Sequence, residues 1–142
     1  TNVIATRKVP LSHNEIVKFA KRRNPFNHMT VMYRKSKVLA AGNYQTCFDF
    51  EDYYLWIRML MKDAKTCNID DYLVFARTGN DMYARRGGFR YLKNEYIFQK
   101  IIKSIRFTRF SEMYFNILTH IIIRLMPSRL RGFVYKKFLR DR

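Results

Sequence analysis

Glycine and proline are scarce in this chain, at 5 and 3 of 142 residues, and acidic residues are few, 11 against 28 Lys and Arg. So few backbone-breaking residues, alongside 48% hydrophobic and 16% aromatic content, exclude a collagenous chain, a disordered tail and a low-complexity linker. The two cysteines, Cys47 and Cys67, form no CxxC pair and have no matching histidine cluster, which argues against a disulfide scaffold or a structural zinc site. Reduced, cytosolic thiols are the default. Long apolar runs are missing too. The longest, Met113 to Met126, contains Asn116, His120 and Arg124 and falls short of the roughly 20 apolar residues that a spanning helix needs. Nothing here is expected to cross a bilayer unaided. The opening TNVIATRKVP is neither a signal nor a transit peptide, and with Thr1 in first place the chain is expected to begin inside a larger protein. What is present suits one packed domain, or part of one, carrying a net charge of +17.

Helix signals come early. Ser12 is a capping residue with Glu15 as its capping-box partner and Leu11 placed to staple onto Ile16, which predicts a short helix ending near Arg23. Pro25 holds Asn24 in extended conformations, so Asn24-Pro25-Phe26-Asn27 breaks the helix, and the β-rich run Met29 to Tyr33 reads as a strand. Ser36 to Ala41 suits one or two helical turns closed by Gly42. From Glu51 to about Lys62, Leu55, Ile57, Met59, Leu60 and Met61 predict a helix with acidic residues in its first turn. Tyr72 to Phe75 reads as a second buried strand, followed by the turn residues Thr78 to Asp81. Beyond Gly88, Leu92, Tyr96, Ile97, Ile101 and Ile105 recur at helical spacing, and Phe115, Leu118, Ile122 and Leu125 do so again before Pro127. Arg129 to Arg142 forms a basic amphipathic segment. Residues 1–88 therefore read as a mixed α/β unit and residues 89–142 as a helical, basic appendage.

Few residues carry chemistry. Glu51-Asp52 stands out in so basic a chain, followed by Tyr53-Tyr54-Leu55-Trp56, aromatics suited to walling a pocket or stacking on a sugar ring. A carboxylate at a pocket edge can act as general base toward a hydroxyl, and it can equally decorate a helix N-terminus. Arg85-Arg86-Gly87-Gly88 puts two guanidinium groups beside residues that let backbone approach a ligand, an arrangement suited to a phosphate or diphosphate, though Arg pairs are common on solvated basic surfaces. His28 can bind a metal, hold a hydroxyl or satisfy a carbonyl. His13 and His120 have no partners at ligand spacing, and neither Asp49 to Asp52 nor Asp70-Asp71 matches a metal loop. Clustered cations with 12 Phe and 10 Tyr invite a nucleic-acid reading, which the core-like placement of most aromatics and the lack of any nucleic-acid motif disfavour. The basic C-terminal part fits an anionic membrane surface better, or a helix packed on its own domain.

These pieces fall into one order: Arg7-Lys8-Val9-Pro10, Asn24 to Ser36 (NPFNHMTVMYRKS), Gly42-Asn43-Tyr44, Glu51 to Trp56 (EDYYLW), Asn68-Ile69-Asp70 and Arg85 to Gly88 (RRGG). Over residues 7–88 this resembles the C-terminal half of a family 2 glycosyltransferase. The resemblance implies the acceptor-side part of a GT-A-like mixed α/β sheet with helices, and an inverting transfer from a nucleotide-sugar donor to a hydroxyl of a surface-polysaccharide or lipid-linked acceptor. Carried over by position, Asp52 resembles the catalytic base and Glu51 its supporting carboxylate. Arg85 and Arg86 are similar to a basic segment over the donor diphosphate, and Asn24, His28 and Trp56 to residues near the donor and acceptor pocket.

The resemblance also implies a divalent metal, Mg²⁺ or Mn²⁺, held in the intact enzyme by a DxD motif that this chain lacks; no metal site is assigned within the chain itself. Without the nucleotide- and metal-binding half, the isolated chain is expected to be inactive, and the sheet edge that half would cover is expected to be exposed or to pair with a second copy. The expected location is the cytoplasmic face of the cell membrane, held peripherally. The competing reading is a non-enzymatic basic module that docks on anionic membrane or nucleic acid.

Overall fold

The structure is a computed structural model that describes residues 3, 6–77, 88–125 and 127. Among these residues, five α-helices and one 3₁₀ turn follow in order: α1 (His13–Phe19), the 3₁₀ turn (His28–Thr30), α2 (Lys35–Ala40), α3 (Glu51–Met61), α4 (Gly88–Ser104) and α5 (Phe110–Leu125).

The local signals around the first three helices hold. Ser12 sits extended at the α1 N-cap, and the Glu15 carboxylate accepts from its hydroxyl at 2.7 Å and its backbone N–H at 3.3 Å. These bonds from Ser12 hold the Glu15 carboxyl below its ordinary value. The helix ends at Phe19, earlier than the apolar pattern implies, and Ala20 to Arg23 continue as turns. At the end of α2, Gly42 adopts φ +82°, and the N–H groups of Gly42 and Asn43 close onto the carbonyls of Leu39 and Val38. Arg58, reaching from α3, donates to the carbonyls of Ala41 and, at 2.7 Å, Asn43, while its guanidinium lies over the Tyr54 ring.

α3 is the centre of the core. It buries Tyr53, Leu55, Trp56, Ile57, Met59 and Leu60 against Ile16 and Ala20 of the α1 region, Val38 of α2, and Phe98 and Ile102 of α4. Phe98 stacks on Phe50 with ring centroids 4.7 Å apart and leans on Tyr53 at 4.8 Å. The Tyr53 hydroxyl donates to the Ala20 carbonyl at 2.7 Å, and its burial pushes the phenol well above its ordinary value, with the Glu95 charge adding to the rise. Asp49, at φ +68° before α3, accepts from Asn94 at 2.8 Å and so ties the α3 entrance to α4.

The expected mixed α/β sheet is not there. Among the described residues there is no β-strand. Met29 to Tyr33, expected as a strand, begins as the 3₁₀ turn and then runs extended, and Tyr72 to Phe75 runs irregularly with every side chain at least half exposed. β-branched and aromatic composition describes a surface that fits a pleat, but a strand exists only where a neighbour completes its hydrogen-bond ladder. With no sheet among these residues, the expected sheet edge falls away as well.

The two long helices correct the sequence in a second way. Both occur where the periodicity puts them, but the apolar residues that reveal them are not the ones they bury. α4 buries Tyr91, Glu95, Phe98, Gln99 and Ile102, leaving Tyr96 and Ile97 exposed, and α5 buries Asn116 while Phe115, Leu118, Ile122 and Leu125 point outward. Polar residues join α5 to the rest. Asn116 donates to the Lys21 carbonyl at 2.7 Å and to Gln99 Oε1 at 3.1 Å, and Glu112 pairs with Lys21 at 2.9 Å. His120 Nδ1 lies 2.6 Å from Glu95 Oε1, a close polar contact without the alignment of a hydrogen bond.

Candidate functional site

Asp52 occupies the first turn of α3, where unpaired backbone N–H groups and the helix dipole favour a carboxylate. Its Oδ1 accepts the backbone N–H of Tyr53 at 2.7 Å, and its Oδ2 accepts the side-chain amide of Asn24 at 3.0 Å. His28 Nδ1 stands 3.9 Å from the same Oδ2. The carboxylate keeps a quarter of its side-chain surface in solvent and, with two lone pairs on each oxygen, room to accept a further proton donor.

The partners of Asp52 come from a loop that the protein takes care to hold. Asn24 Oδ1 accepts the Phe26 N–H at 3.2 Å, an Asx-type turn that fixes which end of the amide faces Asp52. Pro25 is fully buried beneath it. Arg7 donates to the Asn24 carbonyl and to the Asn27 side chain. Asn68 adds a second clamp, with its side-chain amide on the carbonyls of Pro10 at 2.6 Å and Pro25 at 3.3 Å. Residues 7, 24–27 and 68 thus form one hydrogen-bonded frame beside the carboxylate.

One turn along α3, Trp56 forms the aromatic floor. His28 and Tyr33 lean over it with ring centroids at 6.2 and 5.9 Å, Phe26 meets it edge-on at 5.9 Å, and Tyr44 stands 6.0 Å from His28. Trp56 is 3% exposed, and its indole N–H has no hydrogen-bond partner among the described residues. Burial pushes the Tyr44 phenol above its ordinary value, and the Tyr33 hydroxyl and the Asp52 charge push the same way. A partly exposed carboxylate beside an aromatic wall can bind the apolar face of a sugar and take a proton from one of its hydroxyls.

Of the residues singled out in the sequence, Asp52, Asn24, His28 and Trp56 come together here. Glu51 does not join them. Successive helical residues point in different directions, and Glu51 is exposed near Cys47, where its charge reinforces the burial that pushes the thiol up to about 11. Arg85 and Arg86 lie outside the described residues. Tyr33, Tyr44 and Arg7 are additions from the structure. Each sits inside a motif already noticed, but only proximity to Asp52 and Trp56 shows what it does. As for a divalent metal, one carboxylate with an amide and an imidazole is a poor donor set, and no cluster of three or more His, Cys, Asp or Glu forms among the described residues. The site described does not fit such an ion.

Comparison with known proteins finds relatives of one class. The chain is 40% identical over 133 residues to the amylovoran biosynthesis glycosyltransferase AmsE of Erwinia amylovora, an alignment covering 92% of the chain and 49% of that protein. It is homologous to glycosyltransferases. A UDP-Gal:alpha-D-GlcNAc-diphosphoundecaprenol beta-1,3-galactosyltransferase of Escherichia coli is 36% identical over 134 residues, covering 94% of the chain and 48% of the enzyme. An uncharacterized glycosyltransferase of Haemophilus influenzae is 39% identical over 139 residues, with 98% and 51% covered. The chain spans about half the length of the curated relatives it matches. No family profile and no solved structure matches it.

Proposed function

We propose that this chain is the acceptor-side half of an inverting, family 2 glycosyltransferase that moves a sugar from a nucleotide-sugar donor to a hydroxyl of a saccharide or lipid-linked acceptor in bacterial polysaccharide assembly. Asp52 is the general base. As the acceptor oxygen attacks the anomeric carbon, its proton passes to a free lone pair of the Asp52 carboxylate, the new glycosidic bond forms, and the bond to the nucleotide diphosphate breaks with the electron pair leaving on the phosphate oxygen. The observation that carries this is the Asp52 environment: a carboxylate oriented by Asn24, accessible to solvent, and set one helical turn from the Trp56 floor.

His28, Tyr33 and Tyr44 then line the acceptor subsite, and Arg85 and Arg86 bind the donor diphosphate. Glu51 is left as a modest electrostatic contributor at the helix entrance. The names of the relatives support the substrate class, since one belongs to amylovoran biosynthesis and another uses a diphosphoundecaprenol-linked sugar. The divalent ion implied by the family resemblance belongs, in this proposal, to the half of the relatives' length beyond this chain, and the chain alone transfers no sugar.

The test is Asp52→Asn in the full-length protein, because the amide keeps the shape and loses the base. Transfer is expected to fall by roughly 10²- to 10⁴-fold, the usual contribution of a general base, while nucleotide-sugar binding measured by calorimetry is retained. Near-normal turnover in that variant overturns the assignment.

A further inference from the structure

α5 is turned inside out for a helix of a water-soluble domain. Its polar residues Glu112, Asn116 and His120 face inward onto Lys21, Gln99 and Glu95, while Phe110, Tyr114, Phe115, Leu118, Ile122 and Leu125 are each more than half exposed. At 3.6 residues per turn those six side chains lie within an arc of about 140°. A stable surface helix does the reverse, burying its apolar stripe and wetting its polar one. This face is therefore made to be covered.

Charge says what covers it. The outward side of α4 interleaves the exposed aromatics Phe89 and Tyr96 with Lys93, Lys100 and Lys103, the Lys100 ammonium lying 5.7 Å over the Tyr96 ring. Arg106 and Arg109 are exposed in the turn that leads to α5. The two acidic residues from 88 to 125, Glu95 and Glu112, are both engaged inward. A cleft of about 290 Å³ between the helices, lined by Phe89, Leu92 and Tyr96 of α4 and Ile117 and Ile121 of α5 together with Lys93, Glu95 and His120, joins their apolar surfaces. A broad apolar face bordered by cations with no exposed carboxylate is complementary to the headgroup and acyl boundary of an anionic bilayer, where lysine stems lie along the hydrocarbon and their ammonium groups reach phosphate. Neither helix is long and apolar enough to cross a membrane, so they lie on it rather than through it.

We infer that the outward face of the α4–α5 pair is a docking surface for an anionic phospholipid bilayer. The inference stands apart from the role of Asp52. The experiment is vesicle flotation of the full-length protein with phosphatidylcholine liposomes, with and without phosphatidylglycerol, comparing wild type with Leu118→Gln/Ile122→Gln and with Lys100→Ala/Lys103→Ala. Both pairs are exposed in this chain, and an unchanged circular dichroism spectrum and thermal midpoint are expected; a lowered midpoint for the glutamine pair shows the face buried against the rest of the protein and overturns the inference.

Wild type is expected to float only with the anionic vesicles, the glutamine pair to lose about tenfold in partitioning, and the alanine pair to lose a similar factor and most of its salt dependence. Asp52→Asn is expected to float like wild type, so loss of transfer and loss of docking are separable. No flotation with either vesicle overturns the inference. So does flotation indifferent to the glutamine pair, or light scattering that shows a dimer abolished by that pair, which makes the face a contact between copies instead.

Discussion

The side-chain amide of Asn24 and the carboxylate of Asp52 meet at 3.0 Å across 28 positions of sequence, and the same Asn24 uses its amide oxygen to hold the Phe26 N–H. The amide therefore has one orientation, and the carboxylate it holds has one rotamer. Asn24→Ala is expected to reduce kcat by roughly 10- to 100-fold, the worth of a hydrogen bond to a charged group, with donor KM little changed. Asn24→Asp places a second negative charge on Asp52, which raises the apparent pKa of the pair and moves the acid limb of the pH–rate profile to higher pH. Steady-state kinetics against pH reads both.

Tyr53 makes a wholly buried hydrogen bond to the Ala20 carbonyl. Tyr53→Phe is expected to cost about 1–2 kcal/mol of stability in denaturant titration. Because burial raises the folded phenol above its ordinary value of 10.0, the unfolded chain loses this proton first. The contribution is complete below pH 10 and is lost as pH rises beyond it, so wild type and Tyr53→Phe converge in strongly alkaline solution.

Glu112 gives the opposite slope. Burial works to raise its carboxyl, but the Arg109 backbone N–H, the Lys21 ammonium and the Arg109 charge outweigh it and hold the group below 4.5. That stabilisation is present above the unfolded value and is lost as pH falls through the folded one. Glu112→Gln is expected to lower the thermal midpoint at neutral pH, with the gap to wild type closing below pH 4.5.

The two cysteines are free and differ in environment. Cys47 is buried, and burial with the nearby Glu51 pushes its thiol up to about 11, whereas Cys67 is exposed. A maleimide at neutral pH is expected to label Cys67 at once and Cys47 only after denaturation, which mass spectrometry of the native and unfolded chain resolves.

The helices were legible because their signals are local: a capping box at Ser12 and Glu15, Gly42 at a left-handed C-cap, and acids at the α3 entrance are read within a few residues. Asp52 and Trp56 were legible for the same reason, one turn apart on one helix. The contacts around Asp52 were not: Asn24 and His28 entered the site by resemblance alone, and Arg7, Tyr33 and Tyr44 gather about them through non-local folding of loops that spacing does not encode. The strands at Met29 and Tyr72 failed because composition reports a preference, and a ladder needs a partner. The apolar stripes of α4 and α5 marked helices correctly but the wrong face, since periodicity gives a direction around the axis without saying which side meets the protein.

The Arg7 and Asn68 clamps have a consequence for assembly. α3 holds its carboxylate by local contacts, yet the loop that orients that carboxylate is fastened from positions 7 and 68, far apart along the chain. Contacts of such separation close late, after local helices have formed. A partly folded chain would therefore show nearly full helical signal and still have no organised site, and the Asn24–Asp52 bond is a marker of completed folding that helix content does not report.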